Sequence, residues 1–477
     1  MFNRKVTLKC FYAIFIIFNF ILLSCSKNDN PTSPSNNNAQ IEIEKISISV
    51  TVEDTIPTAF LNNFAKLCNN NECGLIEVNI NNNNNQPIQL KLSVKIENYT
   101  NEITEMVTIA ANDSELVNTT PVLSTEELNK FNENKTVQIS VKASQIQENT
   151  NTEIFAQTYT RQMLAKDVML LNTEYLPLLV TWVTPHVSEI DKLISSAKKY
   201  HPESEFVGYQ GSDTEDGYKK EQKGPFRYSI DVSTGQQEIV PLGYIDIDYM
   251  KGCVISGSFS AEGGFLGHEI IVQLLLEDEE ILYDSGKVQQ DSFSEIINKS
   301  GNYYLEFDNS FSFLTPKTVT YTLTISYNYD LVNAQVKAIY LALQNDYNID
   351  YVNSTISYPD GITQRIRLPQ DALELGSANC IDGAVLFASA LENIGLEPLI
   401  VLVPGHAFVG WRRWTESNVA DFLETTMIGN SSFADACNEG NYKFTTNKDK
   451  SDTDIIDVKY YRGTYNLTPL MKQIAIK

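Results

Sequence analysis

One cysteine stands where the sequence predicts the start of a helix, and this position is the best candidate for nucleophilic chemistry. Cys380 opens the run CIDGAVLFASALEN, whose apolar residues recur at helical spacing until Gly395 and Pro398 stop the pattern. The first turn of a helix offers unpaired N–H groups and the positive end of the helix dipole, which favour a thiolate. The sequence therefore predicts a nucleophilic sulfur at Cys380, with a pKa below that of an ordinary thiol.

A histidine downstream is the candidate base. The segment LEPLIVLVPGHAFVGW predicts a buried strand over 399–403, a turn at Pro404 and Gly405, and a second strand that begins at His406. Because the helix packs on the sheet, a histidine at the start of a strand can face the first turn of the helix, as a base for Cys380 requires. The chain has four histidines in all, so few residues compete for this role.

A third strand pattern supplies a carboxylate. VADFLETTMIG places Phe422, Glu424 and Thr426 on one side of a predicted strand, where Glu424 can hold the imidazole in position and stabilise its charge. A shift in register gives this role to Asp421 instead. Asp382 lies two residues after the thiol, and we expect it to cap or pack near the end of the helix.

These residues resemble the transglutaminase-like superfamily, whose papain-like core reads as a Cys-led helix, a His-led strand and an Asp-led strand. The resemblance implies that Cys380 is the nucleophile, His406 the general base and acid, and Glu424 the orienting carboxylate. It covers roughly residues 334–442, and the text YPDGITQRIRLPQDALELGSANC is similar to the lead-in of bacterial members. The family usually has Asp at the third position, and Glu is one methylene longer.

The remaining requirement of such a site is stabilisation of an oxyanion. We expect one donor from the backbone N–H of Cys380 and one from an upstream side chain, with Gln364 and Asn379 as candidates. No CxxC motif or histidine pair indicates a metal, so the sequence predicts neither a metal nor a cofactor.

The chemistry that the resemblance implies is attack of the thiol on an amide carbonyl of a peptide or protein, followed by release of the acyl group to water or an amine. We favour hydrolysis, because nothing in the sequence dictates an amine-binding site. The alternative is a non-catalytic surface lipoprotein that keeps the papain-like core as a scaffold, since fold alone does not establish activity. A buried Cys is also an ordinary core residue.

The N-terminus predicts export and lipid attachment. Basic residues precede an apolar run over 11–23, a signal-peptide pattern too short to span a bilayer comfortably. The run ends in LLSC, which resembles the lipobox of bacterial lipoproteins and implies cleavage after residue 24 and lipidation of Cys25. Residues 25–40 have the Asn-, Ser- and Pro-rich composition of a flexible tether. We therefore expect a location in the bacterial cell envelope, at the outer membrane or cell surface, with the lipid on Cys25 as the membrane anchor.

Charge and cysteine content narrow the remaining possibilities. A net charge of −24 and a pI near 4.6 argue against nucleic acid as a partner, because phosphates demand a basic face. Beyond the signal and the anchor, five cysteines remain, an odd number that indicates a free thiol in an exported protein. Cys68 and Cys73 are spaced to close a short disulfide loop.

The patterns along the chain predict an α+β, multidomain protein. Alternating apolar residues over 41–165 indicate an antiparallel β-sandwich. Residues 166–224 begin the transglutaminase-like domain, with LPLLVTWVTP as a buried strand and Thr184 as the cap of a helix. A second β-rich block over 225–330 resembles, in YYLEFDNSFSFLTPKTVTYTLTISY, the GOLD (Golgi dynamics) sandwiches. It interrupts the papain-like domain, whose catalytic part occupies 331–477.

Overall fold

The computed structural model of the protein describes residues 45–67, 74–147, 150–171, 175–201, 205–210, 218–247, 249–263, 267–277, 280–353 and 362–470. They form a mixed α+β protein, mostly β, with several sheets and multiple domains. The predicted signal peptide, tether and lipidated Cys25 lie outside the described residues, as do Cys68 and Cys73. Of the helices within these ranges, none is both long and apolar enough to cross a bilayer.

The first part of the chain is built mainly from strands. These are β1 Ile46–Val52, β2 Thr55–Ile56, β3 Ile76–Asn82, β4 Ile88–Ile96, β5 Ile103–Ile109, β6 Asp113–Thr119, β7 Lys135–Gln147, β8 Thr150–Met163 and β9 Val168–Leu171. Two short helices, α1 Phe64–Leu67 and α2 Thr125–Asn129, lie among them. One sheet has the order β1-β3-β6 and the other the order β2-β8-β7-β4-β5.

The strand β4 shows why this part of the sequence forms sheets. Its apolar residues alternate with polar ones, so one face of the strand is apolar. That face is buried, and it consists of Ile88, Leu90, Leu92, Val94 and Ile96. The strict period of two therefore predicted both the strand and its buried side.

The segment LPLLVTWVTP, predicted as a strand, is instead a 3-10 helix over Leu176–Trp182. Its burial was predicted correctly, since every residue of the helix except Pro177 is buried. A continuous apolar run does not distinguish a buried strand from a buried helix. The next helix, α3 Ser188–Ala197, begins later than predicted, with Val187 rather than Thr184 at its N-cap.

A second β-rich block follows. Its strands are β10 Tyr218–Val232, β11 Gln237–Ile245, β12 Met250–Glu262, β13 Ile271–Leu276, β14 Glu280–Asp284, β15 Gln290–Ile296, β16 Gly301–Asp308 and β17 Lys317–Asp330. They form two antiparallel sheets with the orders β10-β17-β12-β15 and β11-β16-β13-β14. The two sheets enclose an apolar core of their own, separate from the large core that joins the first part of the chain to the last.

The last third combines helices with a four-stranded sheet. Its elements are α4 Leu331–Asn345, β18 Asp350–Tyr351, β19 Ile362–Arg365, α5 Pro369–Leu375, β20 Ser377–Ala378, α6 Cys380–Asn393, β21 Pro398–Val403, β22 His406–Arg412, β23 Ala420–Leu423, a 3-10 helix Thr425–Met427, α7 Phe433–Asn447, β24 Asp454–Asp457 and α8 Val458–Tyr465. The sheet has the antiparallel order β23-β22-β21-β24. The predicted helix at Cys380 and the predicted strands around His406 are confirmed.

Helices cover both faces of this sheet. Ala407 and Val409 of β22 join the large core that contains α6. Phe408 lies on the opposite face, where Phe422 stacks on Phe444 of α7 with ring centroids 3.8 Å apart. Because side chains alternate along a strand, His406 shares the face of Phe408 and lies on the side of α7.

Candidate active site

Cys380 is the first residue of α6, held there by a capping box. The side chain of Asn379 accepts a hydrogen bond from the N–H of Asp382 at 2.8 Å, and Asp382 accepts one from the N–H of Asn379 at 3.2 Å. These reciprocal bonds satisfy two backbone donors of the first turn and fix where the helix begins. Asp382 thus has the capping role predicted for it.

His406 and Glu424 form the closest contact of the site. Their Nε2 and Oε2 atoms lie 2.6 Å apart. His406 stands at the start of β22, directly after the turn at Gly405. Glu424 does not lie on a strand as predicted, because β23 ends at Leu423 and Glu424 becomes the N-cap of the following 3-10 helix. The chain bends away from the sheet there, which leaves room for the carboxylate beside the imidazole.

Thr426 and Lys443 also bind this carboxylate. The Oγ1 of Thr426 donates to Oε1 of Glu424 at 2.6 Å and its backbone N–H donates at 3.0 Å. The Nζ of Lys443, on α7, lies 2.7 Å from Oε2 of Glu424 and 3.3 Å from Nε2 of His406. The sequence interpretation missed Lys443. Its position four residues after Glu439 indicates only an ordinary helical ion pair, at 3.6 Å.

The electrostatics of Glu424 follow from these partners. The residue is 1% exposed, and burial alone raises the pKa of a carboxyl group. The bonds from His406, Lys443 and Thr426 outweigh burial and lower the pKa of Glu424 to about 2. Glu424 is therefore an ionised, firmly oriented acceptor, which favours the tautomer of His406 with its proton on Nε2.

The sulfur of Cys380 has a different environment from the one predicted. The residue is 2% exposed, and burial raises the pKa of the thiol to about 11, although the backbone N–H groups of Ala407 and Ile381 lie near the sulfur and oppose the shift. The predicted lowering of the pKa is therefore wrong for this geometry, because desolvation outweighs the helix end. Among the described residues, no hydrogen bond joins the sulfur to the imidazole of His406.

The arrangement around β22 explains this separation. Cys380 reaches the strand from the side of α6, whereas His406 lies on the side of α7. The backbone of β22 links the two sides, because Ala407, whose N–H lies near the sulfur of Cys380, directly follows His406. The charge of Glu424 also acts on the Cys380 thiol. The imidazole and the carboxylate are thus hydrogen bonded to each other, and the thiol lies within the electrostatic reach of the carboxylate.

Asp421, the alternative third residue, is not part of this site. It lies on β23 opposite Trp411 and forms an ion pair with Arg413 at 3.1 Å. Arg413 also contacts Asp330 at 3.3 Å, so Asp421 belongs to a cluster at the junction with the second β block. Of the two carboxylates, Glu424 rather than the alternative Asp421 therefore contacts His406, because the chain leaves the sheet at Leu423.

The two oxyanion candidates have local roles. The side chain of Gln364, on β19, donates to the carbonyl of Arg365 at 2.8 Å. The side-chain oxygen of Asn379 is taken by the capping box. Their assignment as oxyanion donors stays a prediction.

A tyrosine marks the open side of the site. Tyr351 of β18 is 44% exposed and pairs in register with Ala378, two residues before Cys380. Partial burial, and then the charges of Cys380 and Glu424, raise the pKa of the Tyr351 hydroxyl. The hydroxyl therefore lies within electrostatic reach of both groups. Within the described ranges, no group of three or more His, Cys, Asp or Glu side chains is placed to hold a metal ion.

Comparisons with known proteins do not identify a family. No family model matches the chain, and no curated protein matches it. Among solved structures, the secreted serine protease VesC from Vibrio cholerae is 9% identical, with 51% of this chain and 45% of that chain covered and a TM-score of 0.15. Tripeptidyl peptidase 2 is 8% identical, with 60% and 21% covered and a TM-score of 0.15. The chain spans less than half the length of either protein, and TM-scores this low carry no argument about fold or function.

Proposed function

We propose that this protein is a transglutaminase-like thiol enzyme that acts on amide bonds of peptides or proteins through an acyl-enzyme. The observation that carries the proposal is the 2.6 Å contact between His406 and Glu424 beside the first turn of α6, where the N–H of Ala407 lies near the sulfur of Cys380. A nucleophile at a helix start, a base and an orienting carboxylate are the parts that such chemistry requires.

The proposed first half-reaction begins with proton transfer from the Cys380 thiol to the imidazole of His406. Because Nε2 is bound to Glu424, Nδ1 is the nitrogen that receives the proton. The sulfur then forms a bond to the amide carbonyl carbon, the C–N bond breaks, and the imidazolium returns its proton to the leaving amine. Rotation of the thiol or imidazole side chain must first bring the two together, and such contacts often tighten only when substrate binds.

The proposed second half-reaction releases the acyl group. A water molecule gives a proton to His406 while its oxygen bonds to the acyl carbon. The C–S bond then breaks, and the imidazolium returns that proton to the sulfur, which regenerates the thiol of Cys380. We favour water over an amine as the acceptor. The backbone N–H of Cys380, with Gln364 or Asn379, is proposed to stabilise the oxyanion.

The proposed setting is a lipid-anchored protein of the bacterial cell envelope, attached to the membrane through Cys25. In this proposal the papain-like core begins near residue 166 and is interrupted over 225–330 by a GOLD-type sandwich that binds or spaces a partner. The separate apolar core of that block supports an independent folding unit. The substrate is a peptide or protein, and no nucleic acid is involved.

A second candidate function is a non-catalytic envelope protein that uses the core as a scaffold. The burial of Cys380 and the raised pKa of its thiol favour this alternative, since the thiolate is the nucleophile. Lys443 favours it too, because the lysine shares the carboxylate that an active imidazole would use alone.

Trapping of the acyl-enzyme distinguishes the enzyme from the non-catalytic scaffold. The wild type, Cys380→Ala and the control Cys437→Ala are incubated with a peptide library, and intact mass is recorded with and without methylamine. We expect an acyl adduct on the wild type and on Cys437→Ala, and none on Cys380→Ala. Equal adducts on all three proteins, or no adduct on any, would sink the enzymatic proposal and support the scaffold. Methylamine in the released product would identify transamidation rather than hydrolysis.

A further inference from the structure

Lys443 is the third charged member of the His406–Glu424 pair. Its Nζ lies 2.7 Å from the same Oε2 atom that His406 binds, and 3.3 Å from Nε2 itself. One carboxylate oxygen therefore receives both the imidazole and the ammonium. The side chain is 28% exposed, so solvent only partly screens its charge.

The backbone fixes this arrangement as well as the side chain does. Gly440 lies three residues before Lys443 on α7, and a Cβ built there would stand 2.5 Å from the backbone nitrogen of Leu423. The absence of a side chain at Gly440 lets α7 approach the end of β23 closely. The helix is thereby held where Lys443 reaches the carboxylate of Glu424, which directly follows β23.

The ammonium changes what the carboxylate can do for the imidazole. When His406 accepts the thiol proton, the imidazolium lies beside a fixed positive charge, which disfavours it. The carboxylate that would offset the new charge is already shared with Lys443.

The other titratable groups around the imidazole do not supply a positive charge in place of Lys443. They come from each element that meets at the site: Glu424 before the 3-10 helix, Lys443 and Glu439 of α7, Cys380 and Asp382 of α6, and Tyr351 of β18. Among these, Lys443 is the cation, and the rest are acids or neutral donors.

We infer that Lys443 is a positioning residue that shares the Glu424 carboxylate with His406 and opposes the positive charge that the imidazole gains when it accepts the thiol proton. Its role rests on the proposed function. Cys380 is then activated by transfer of its proton to His406 when substrate is bound, rather than from a thiolate–imidazolium pair that exists in the resting protein.

The experiment titrates His406 in the resting protein. Histidine is isotopically labelled, the four imidazole signals are followed by NMR against pH, and His406→Ala assigns the signal. Lys443→Met is compared with Lys443→Arg, which keeps the charge. Lys459→Met is the matched control, because it removes from α8 a lysine whose ion pair, with Glu397 at 2.6 Å, does not involve His406 or Glu424.

We expect Lys443→Met to raise the titration midpoint of His406 by about one pH unit. Lys443→Arg and Lys459→Met are expected to keep the wild-type midpoint. An unchanged midpoint in Lys443→Met, or an equal shift in Lys443→Arg, would overturn the inference. If Lys443→Met fails to fold, Lys443→Gln makes the same comparison. The titration needs no turnover, so a protein that forms no acyl-enzyme still decides the role of Lys443.

Discussion

The backbone N–H of Ala407, the residue that directly follows His406, lies near the sulfur of Cys380 and favours its thiolate. This proximity connects the start of α6 to the start of β22 and brings the thiol within one residue of the candidate base. It favours the thiolate, but burial raises the pKa of the thiol more strongly. The structure therefore describes a resting, protonated thiol rather than a preformed ion pair.

The ionisation of Cys380 gives the first prediction. The pKa of the buried thiol is raised to about 11. We therefore expect the rate of alkylation by iodoacetamide to be low at pH 7 and to increase steadily as the pH approaches this pKa. Mass spectrometry of the Cys380 peptide measures the rate, and denatured protein provides the reference for an ordinary thiol. Labelling at pH 6 that is as fast as labelling at pH 9 would contradict the neutral resting state.

The third residue of the site gives the second prediction. Glu424→Gln keeps the size of the side chain but removes the charge that orients and stabilises the imidazole. We expect kcat/KM for peptide hydrolysis to fall by about 100-fold. Asp421→Asn is the matched control, because Asp421 pairs with Arg413 away from His406, and its activity should be little changed. A larger loss in Asp421→Asn than in Glu424→Gln would reverse the assignment.

Strong periodicity made the framework of the site predictable. The helix at Cys380 and the hairpin before His406 follow from apolar patterns that fit one period each. The pattern around Glu424 was less informative. Over so few residues, a four-residue strand and a following 3-10 turn give the same apolar pattern in the sequence. The contact of Glu424 with His406 was expected and is present, whereas the strand predicted for Glu424 is not.

Packing decided what the sequence did not predict. The helix start at Cys380 indicated a lowered pKa, but the sign of the shift depends on how deeply neighbouring elements bury the sulfur. Lys443 reaches Glu424 from α7, a helix that the predicted triad did not include. Neither fact is encoded in local spacing, since both arise where α6 and α7 meet the end of β22.

Acid stability gives the third prediction. The folded-state pKa of Glu424, about 2, lies below its ordinary value of 4.5. The carboxylate therefore stabilises the fold above pH 4.5, and this contribution is lost as the pH falls toward 2. The shift corresponds to about 3 kcal/mol. Urea unfolding measured over this range should show a smaller acid-induced loss in Glu424→Gln than in the wild type, and parallel curves would exclude the coupling.

The close approach of α7 to β23 gives the last prediction. A Cβ at Gly440 would stand 2.5 Å from the backbone nitrogen of Leu423 and 2.6 Å from the carbonyl carbon of Phe422. Backbone atoms of a paired strand cannot yield as a flexible side chain can. We expect Gly440→Ala to lower the free energy of unfolding by about 1–3 kcal/mol, measured in urea.

Gly463, on α8, is the matched control for this substitution. A Cβ there meets nothing within 4 Å, so Gly463→Ala should be neutral or stabilise the protein by up to about 1 kcal/mol through helix propensity. If both variants lose the same stability, the loss in Gly440→Ala would not come from the close packing of α7 against β23. If Gly440→Ala alone is destabilised, the close contact that brings Lys443 to Glu424 is also the contact on which the sheet depends.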